Sequence, residues 1–489
     1  MKTKAAHQIP ARLNMPQSNM PKMIVLGLSM LVAISACAQT DNAPPQQPVP
    51  AMVGLDNSAN PASNSVADNS SSDRMMTPPP VSGQTYPTAF TSEERANYLR
   101  GGLSFTSVYF DNALGAVNGH PVSDISYSVA PTVALDETTP RTKLSLIYAP
   151  GFTFYQRTSS LNEADQNASI VFAYRVSPHV TFSASDTFQK SSNVFNQPPD
   201  LASIGVVSGG VQDANFSIIP PTADRLSNLG GVGLTYQFSL NDMVGVGGTF
   251  SNLHYTNPAQ VPGLFDSSSQ SGLAFYSHRL TKTQYFGVTY SYQRLLSFPT
   301  GAANETQTHA ALFFYTFYPT PHFSMSFFGG PQYSDTVQPP LPPLVPQLLE
   351  VKTWTPAAGA SLGWQGRLNS FALSYSYIIA GGGGLIGAVQ SDSATASARQ
   401  QITRTLSLFL TGAYGQQDYL GSPLLSAGNG HSVSGSATLR QQVGQHLSIQ
   451  LGYTRLHQDY SEVAVISTVP DTNRESISIS YQFSRGLGR

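Results

Sequence analysis

Ser476-Ile-Ser-Ile-Ser-Tyr-Gln-Phe483 decides how the rest of the chain reads. In an extended chain Ile477, Ile479, Tyr481 and Phe483 fall on one face, and Ser476, Ser478, Ser480 and Gln482 on the other. Strand side chains alternate in this way, whereas an amphipathic helix needs apolar residues three and four apart. Working back along the chain, Leu447, Ile449, Leu451 and Tyr453 alternate with Ser448, Gln450, Gly452 and Thr454. Phe371, Leu373, Tyr375 and Tyr377 alternate with Ala372, Ser374 and Ser376, and Phe286, Val288, Tyr290 and Tyr292 with Gly287, Thr289, Ser291 and Gln293.

Composition says what the two faces meet. Only 11% of the 489 residues are Asp, Glu, Lys or Arg, against about 25% in ordinary soluble proteins. Apolar residues do not fill the gap, at 40%, and no run is long enough for a membrane-spanning helix. A transmembrane barrel needs this mixture: apolar residues toward lipid, small polar ones toward a wet interior, aromatics at the interfaces. The 23 Tyr, 25 Phe and 41 Gly beside 2 Trp fit it. A formal net charge of −2 offers no basic field for nucleic acid.

Connections alternate in length. Short turns fall at Asp136–Arg141, Ser177–His179, Leu240–Asp242, Thr281–Thr283, Thr320–His322, Arg367–Asn369, Thr403–Thr405 and Gly444–His446. Long connections fall around 191–226, 256–269, 334–351, 417–430 and 459–472. Short turns at one end and long loops at the other are the outer-membrane arrangement. Arg399-Gln-Gln-Ile-Thr-Arg-Thr-Leu-Ser-Leu408 is echoed by Arg440-Gln-Gln-Val-Gly-Gln-His-Leu-Ser-Ile449, a hairpin-sized repeat. The pattern predicts an all-β, transmembrane, antiparallel up-and-down barrel over 101–489, with about eighteen strands (sixteen to eighteen) and both ends on the periplasmic side. Pro131, Pro150 and Pro331 fall inside strands, where a missing donor predicts bulges, for example at Pro150-Gly151.

Ahead of the barrel, Lys2, Lys4, Arg12 and Lys22 precede the apolar run Met23–Ile34, the order of a secretory signal peptide spanning 1–38. Ala36-Cys37-Ala38 fits ordinary cleavage. Ile34-Ser35-Ala36-Cys37 equally fits a lipobox, with the peptide ending at 36 and Cys37 lipidated. Residues 39–90, rich in Pro, Ser and Asn, form a disordered periplasmic linker. Thr91-Ser-Glu-Glu94 is a capping box that opens a short helix over 91–100.

These features resemble the porin-like bacterial outer-membrane β-barrel superfamily, over roughly residues 101–485. Tyr481-Gln482-Phe483 is similar to the aromatic C-terminal signal read by the barrel-insertion machinery, displaced here by six further residues. The resemblance implies outer-membrane lipid and that machinery as partners, and it allows a homotrimer. It carries over no catalytic residues and no cofactor.

A barrel of this size encloses an aqueous lumen. Its Ser, Thr, Gln, Gly and Ala lining points to diffusion of small polar, weakly charged solutes. A polysaccharide export barrel and a structural or adhesive barrel are the alternatives. Strong ion selectivity needs a ring of like charges; the sequence shows no complete one, with Arg175, Arg399 and Arg440 as inward candidates. In the general porins that the chain resembles, the third long loop folds inward. Here it carries Asp200, Asp213 and Asp224 as constriction candidates. Arg294 and Arg455 lie on the lipid-facing parity and suit the outer rim, where they would meet lipid phosphate. No metal-ligand spacing occurs. His120 with Ser123 and Asp124, and His457 with Asp459, are the only groupings with a hydrolytic flavour; the overall reading is not an enzyme.

Overall fold

The computed structural model describes residues 97–113, 121–193, 222–257, 264–298, 304–320, 322–338, 349–382, 386–420, 429–460 and 471–487. The strands are β1 (Tyr98–Phe110), β2 (Asp124–Thr138), β3 (Thr142–Tyr148), β4 (Gly151–Tyr155), β5 (Glu163–Arg175), β6 (Val180–Asn193) and β7 (Thr222–Gln237). Next come β8 (Asp242–Tyr255), β9 (Asp266–Thr281), β10 (Gln284–Phe298), β11 (Asn304–Thr320), β12 (Phe323–Gln338) and β13 (Leu349–Gln365). The last are β14 (Asn369–Gly382), β15 (Ile386–Gln401), β16 (Leu406–Tyr419), β17 (Gly430–Val443), β18 (Leu447–Tyr460) and β19 (Asp471–Gly486).

Each strand pairs antiparallel with its chain neighbours, and β1 closes on β19 from Tyr98–Gly486 to Phe110–Arg474. β3 and β4 both pair with β2 and β5, in one continuous register, so they are halves of a single stave. The result is a closed, porin-like up-and-down barrel of eighteen staves. Closure of β1 on β19 leaves no described strand with a whole edge unpaired. Every short turn read from the sequence joins two strands at one end. The strands run further toward the long loops than alternation suggested: Ser191–Asn193 belong to β6 and Thr222–Leu226 to β7.

The signal peptide and linker lie outside the described residues. So does most of the helix expected over 91–100, but its last three residues, Tyr98, Leu99 and Arg100, are in β1. The barrel therefore starts ahead of Gly101. Leu99 shares the outward parity of Leu103 and Phe105, and pairing with both β2 and β19 outweighs a local helix signal.

Burial is inverted relative to a soluble protein. Tyr481, at 52% exposure, looks outward, while its neighbour Ser480, at 6%, is covered inside. Phe105, Tyr127, Val246, Phe313, Leu451 and Ile479 are exposed; Ser126, Ser277, Thr316 and Ser376 are buried. Water would penalise this arrangement, whereas hydrocarbon outside and polar groups inside favour it.

The prolines correct one expectation. No register shift occurs at Pro131, Pro150 or Pro331, so the predicted bulges are absent. Each proline instead faces another proline. Pro131 is level with Pro150, at the one interruption between Val133–Tyr148 and Val129–Phe152. Pro331 pairs directly with Pro356. At Pro131/Pro150 the two missing N–H groups point at each other, as the alternation from the Thr139 N–H to Thr142 bond shows, so a single rung is lost. At Pro331/Pro356 they point away, toward β11 and β14, as the Gln365 N–H to His322 bond fixes.

Candidate functional site

The candidate site is the barrel interior. Its wall is a lattice of small hydroxyls joined across strands: Ser374–Thr395, Ser376–Ser393 and Thr411–Ser436 at 2.7 Å, and Thr316–Ser326 at 3.0 Å. Strand alternation delivers these groups to one face, and pairing among themselves leaves the surface polar without fixed charge.

Fixed charge gathers at the short-turn end. By parity Arg175, Arg399 and Arg440 all face inward, each within a few residues of its strand's end. Arg100, Lys143 and Arg279 join them on β1, β3 and β9, and the sequence reading missed these three. β15, β17, β1, β3 and β5, which carry five of these cations, lie on one side of the closed sheet and make an arc, with Arg279 apart on β9. Asp136 is the one acid of inward parity at that end among the described residues; Arg100 ion-pairs with it and Ser145 donates to it at 2.8 Å. Arg399 lies 5.2 Å over the Phe409 ring, and Arg175 and Arg279 reach the Pro140 carbonyl and the Asn241 side chain. Alternation read outward from Leu144, Leu146 and Tyr148 would have placed Lys143 inside.

Toward the long-loop end the lumen is narrowed by the wall itself. The β13–β14 ladder covers Ala358–Tyr377 down to Gln365–Ser370 and stops there. Above it, Leu349–Ala357 pairs only with β12, and Ile378–Gly382 only with β15. The next rung would need an N–H from Pro356, which has none. Beyond this point the β14–β15 tip leaves the wall. Ile379, of lipid-facing parity, is 2% exposed and packs with Ala388 against Leu295, an inward residue of β10. Ile378 packs with Ala310, Leu312 and Phe314 of β11 and Ala357 of β13. The tip is thus lapped inside the barrel, against the inner faces of β10 and β11. Gln338, at the end of β12, donates to the Tyr419 hydroxyl of β16, bringing two more strand ends together there. Ile378-Ile-Ala-Gly381 and Gly387–Ser391 break the alternation of burial. Two adjacent isoleucines within a strand were the available signal.

Of the loop candidates, Asp200 and Asp213 lie outside the described residues, while Asp224 sits within β7 on the outward parity. Cys37 and His120 are also outside. Both rim arginines face outward near the long-loop end and are paired within the protein. Arg294 forks onto Glu305 at 2.7 and 3.1 Å, and Arg455 bonds Asp471 at 3.0 Å. Below Arg294 runs an outward aromatic belt: Tyr290 bonds His309 at 2.8 Å, and Tyr333 lies 5.1 Å from Trp354. His457 approaches Asp471, not Asp459. Asp124 accepts from the Arg157 and Thr158 backbone and the Thr158 hydroxyl, holding the loop ahead of β5. No cluster of His, Cys, Asp or Glu able to hold a metal occurs among the described residues.

No protein-family model and no curated protein matches the chain. Among solved structures, Acinetobacter baumannii OccAB4 aligns at 10% identity and a TM-score of 0.41, covering 80% of this chain and 99% of that one. Pseudomonas aeruginosa OpdQ aligns at 11% and 0.42, covering 79% and 99%. Pseudomonas aeruginosa OpdK, solved with vanillate, aligns at 9% and 0.40, covering 79% and 99%. At such identities and TM-scores the assignment rests on the chain's own strand pairing and inverted burial, and these describe a porin-like β-barrel.

Proposed function

We propose that the chain is an outer-membrane diffusion channel for small polar solutes, with its short-turn end in the periplasm and a preference for anions over cations. The observation that carries this reading is the basic arc inside a hydroxyl-lined closed barrel. Among the described residues of the short-turn end, six cations of inward parity, Arg100, Lys143, Arg175, Arg279, Arg399 and Arg440, stand against one carboxylate of that parity, Asp136. Walls of low dielectric focus such a field along the lumen. Weakly charged solutes remain compatible with the neutral hydroxyl wall above it. Outer-membrane lipid is the surrounding partner, the barrel-insertion machinery delivers the chain, and a homotrimer is the assembly to test.

Planar-bilayer recording under a salt gradient tests the proposal. The expected result is ohmic current with a reversal potential of the sign for anion preference. Arg175→Gln with Arg399→Gln and Arg440→Gln should move that potential toward zero while leaving current intact. A silent barrel, or a cation-selective one, overturns the reading. Silence that persists after deletion of 194–221 favours a structural barrel, and current that appears only after that deletion favours export.

A further inference from the structure

We propose that a second copy of this chain docks on the lipid-facing side of β6–β9, around Asp186. This docking face serves the homotrimer of the proposed function and rests on that assembly, not on conduction.

Asp186 is a carboxylate on the lipid side of the wall. It stands in the middle of β6, exposed and on the outward parity of Phe188, while Thr187 and Gln189 are buried on the inner side. Arg294, Glu305, Lys352 and Arg455 also face outward, but near the long-loop ends of their strands. Around Asp186 the outward side chains are apolar. Ile170 is level with it on β5, and Phe172, Val232 and Phe250 line the same hollow. An ionisable group at such a depth is costly where only acyl chains meet it.

The wall makes room for this group. Gly230 lies opposite Asp186, and a Cβ there would come within 3.2 Å of a carboxylate oxygen. The Asn228 amide donates to the two carboxylate oxygens at 3.1 and 3.3 Å. A carboxylate accepts about four hydrogen bonds and a side-chain amide carries two N–H groups, so the pair can take further partners. One row toward the short turns, Ala184, Val232, Gly248 and Gly272 stand level across four strands. The surface there is hollowed by about 470 Å³. Small residues at such a place let two backbones approach closely within a membrane.

An occupant of this face must bring hydrogen-bond donors to the depth of Asp186, set in an apolar surface. Acyl chains bring no donors. A second copy brings both. In a ring closed by rotation about the membrane normal, equivalent residues keep equal depth, and β6 of one copy meets β7 of the next. Asp186 of each copy then faces Asn228 of its neighbour, and the same pair repeats at every contact.

Cross-linking of full-length protein in lipid vesicles tests the face. With a short bismaleimide, Ala184→Cys should give a covalent pair of chains. Its yield should be several-fold above the parent, whose one cysteine is Cys37, and above Ala396→Cys, outward on β15 across the barrel. Asp186→Leu and, separately, Val232→Trp, each added to Ala184→Cys, should lower that yield several-fold. Both should still fold, as read by heat-modifiable gel mobility, and Asp186→Leu should not lower the urea midpoint. Asp186→Asn, which keeps an acceptor, should retain most of the yield. A folded Ala184→Cys barrel that cross-links no better than the parent overturns the interface. So does a yield indifferent to both Asp186→Leu and Val232→Trp. A urea midpoint that falls with Asp186→Leu also overturns it, by making the acid a part of the barrel's own fold. Cross-linking through Ala396→Cys alone keeps the homo-oligomer but moves it to another face, and this docking site falls.

Discussion

The arc from β16 through β19 to β2 and the arc from β11 to β15 are built from the same residue types and behave differently. In the first, each ladder runs its length without a register shift, and exposed Leu, Ile and Tyr alternate with covered Ser, Gln and Thr. In the second, the β11–β12 ladder is interrupted opposite Pro331, the β13–β14 ladder ends short of Pro356, and both faces of a hairpin are buried. The difference teaches that alternation is sufficient to make wall, and that narrowing the lumen requires breaking it. A stave stays in the wall because each rung is satisfied on both sides. Remove the donor at Pro356, follow it with two isoleucines in succession, and the chain turns inward, where apolar side chains can bury each other.

The sharpest way to break this comparison is to invert the parity of the regular arc. Ile479 faces lipid in the middle of β19. Ile479→Arg is expected to cost about 2–4 kcal/mol of folding stability, measured by urea titration of barrels in vesicles. Ser478→Arg, one residue away and facing the lumen, should cost much less. Equal costs for the two would mean that the regular arc has no lipid side.

Those same residues show what was legible in the sequence. Ser476–Phe483 is a pure period of two, so fold class, face and turn positions followed from it and its relatives. The strand ends were harder, because polar residues suit both a rim and a loop: Ser191–Asn193 and Thr222–Leu226 read as loop and are strand. For the same reason only half of the basic arc was foreseen. The third loop, where likeness to general porins places a constriction, lies for the most part outside the described residues. Among the described residues the lumen is narrowed by the hairpin that carries Ile378 and Ile379, whose signal was a local failure of the pattern that identified everything else.

Glycine offers a smaller test of the two arcs. A Cβ at Gly330, beside Pro331, would run into the Ala311 carbonyl and Leu312 of β11. At Gly435 the nearest atom, the Thr411 carbonyl oxygen, is 3.8 Å away. Gly330→Ala is expected to destabilise by about 1–3 kcal/mol through overpacking, and Gly435→Ala to stay within about 0.5 kcal/mol of the parent. Matching values would show that the close approach of β12 to β11 relaxes freely.

The smallest effect concerns the proline pairs, and its sign is informative. Pro150→Ala returns an N–H that points at the Pro131 carbonyl, since both stand at a bonding site of the β2–β3 ladder. One restored bond contributes about 0.5–1.5 kcal/mol. Loss of proline's restraint on the unfolded chain takes back about 0.4–1 kcal/mol. Pro150→Ala should therefore be close to neutral or slightly stabilising in urea titration. Pro356→Ala has a different geometry: its restored N–H points toward β14 one rung beyond the end of the β13–β14 ladder. With no ladder there it gains no bond and keeps only the unfolded-state penalty, so it should be slightly destabilising. A stabilising Pro356→Ala would mean that the ladder extends past Ala358 once the donor is restored, and that the lap at β14 is held by the missing donor more than by the isoleucines.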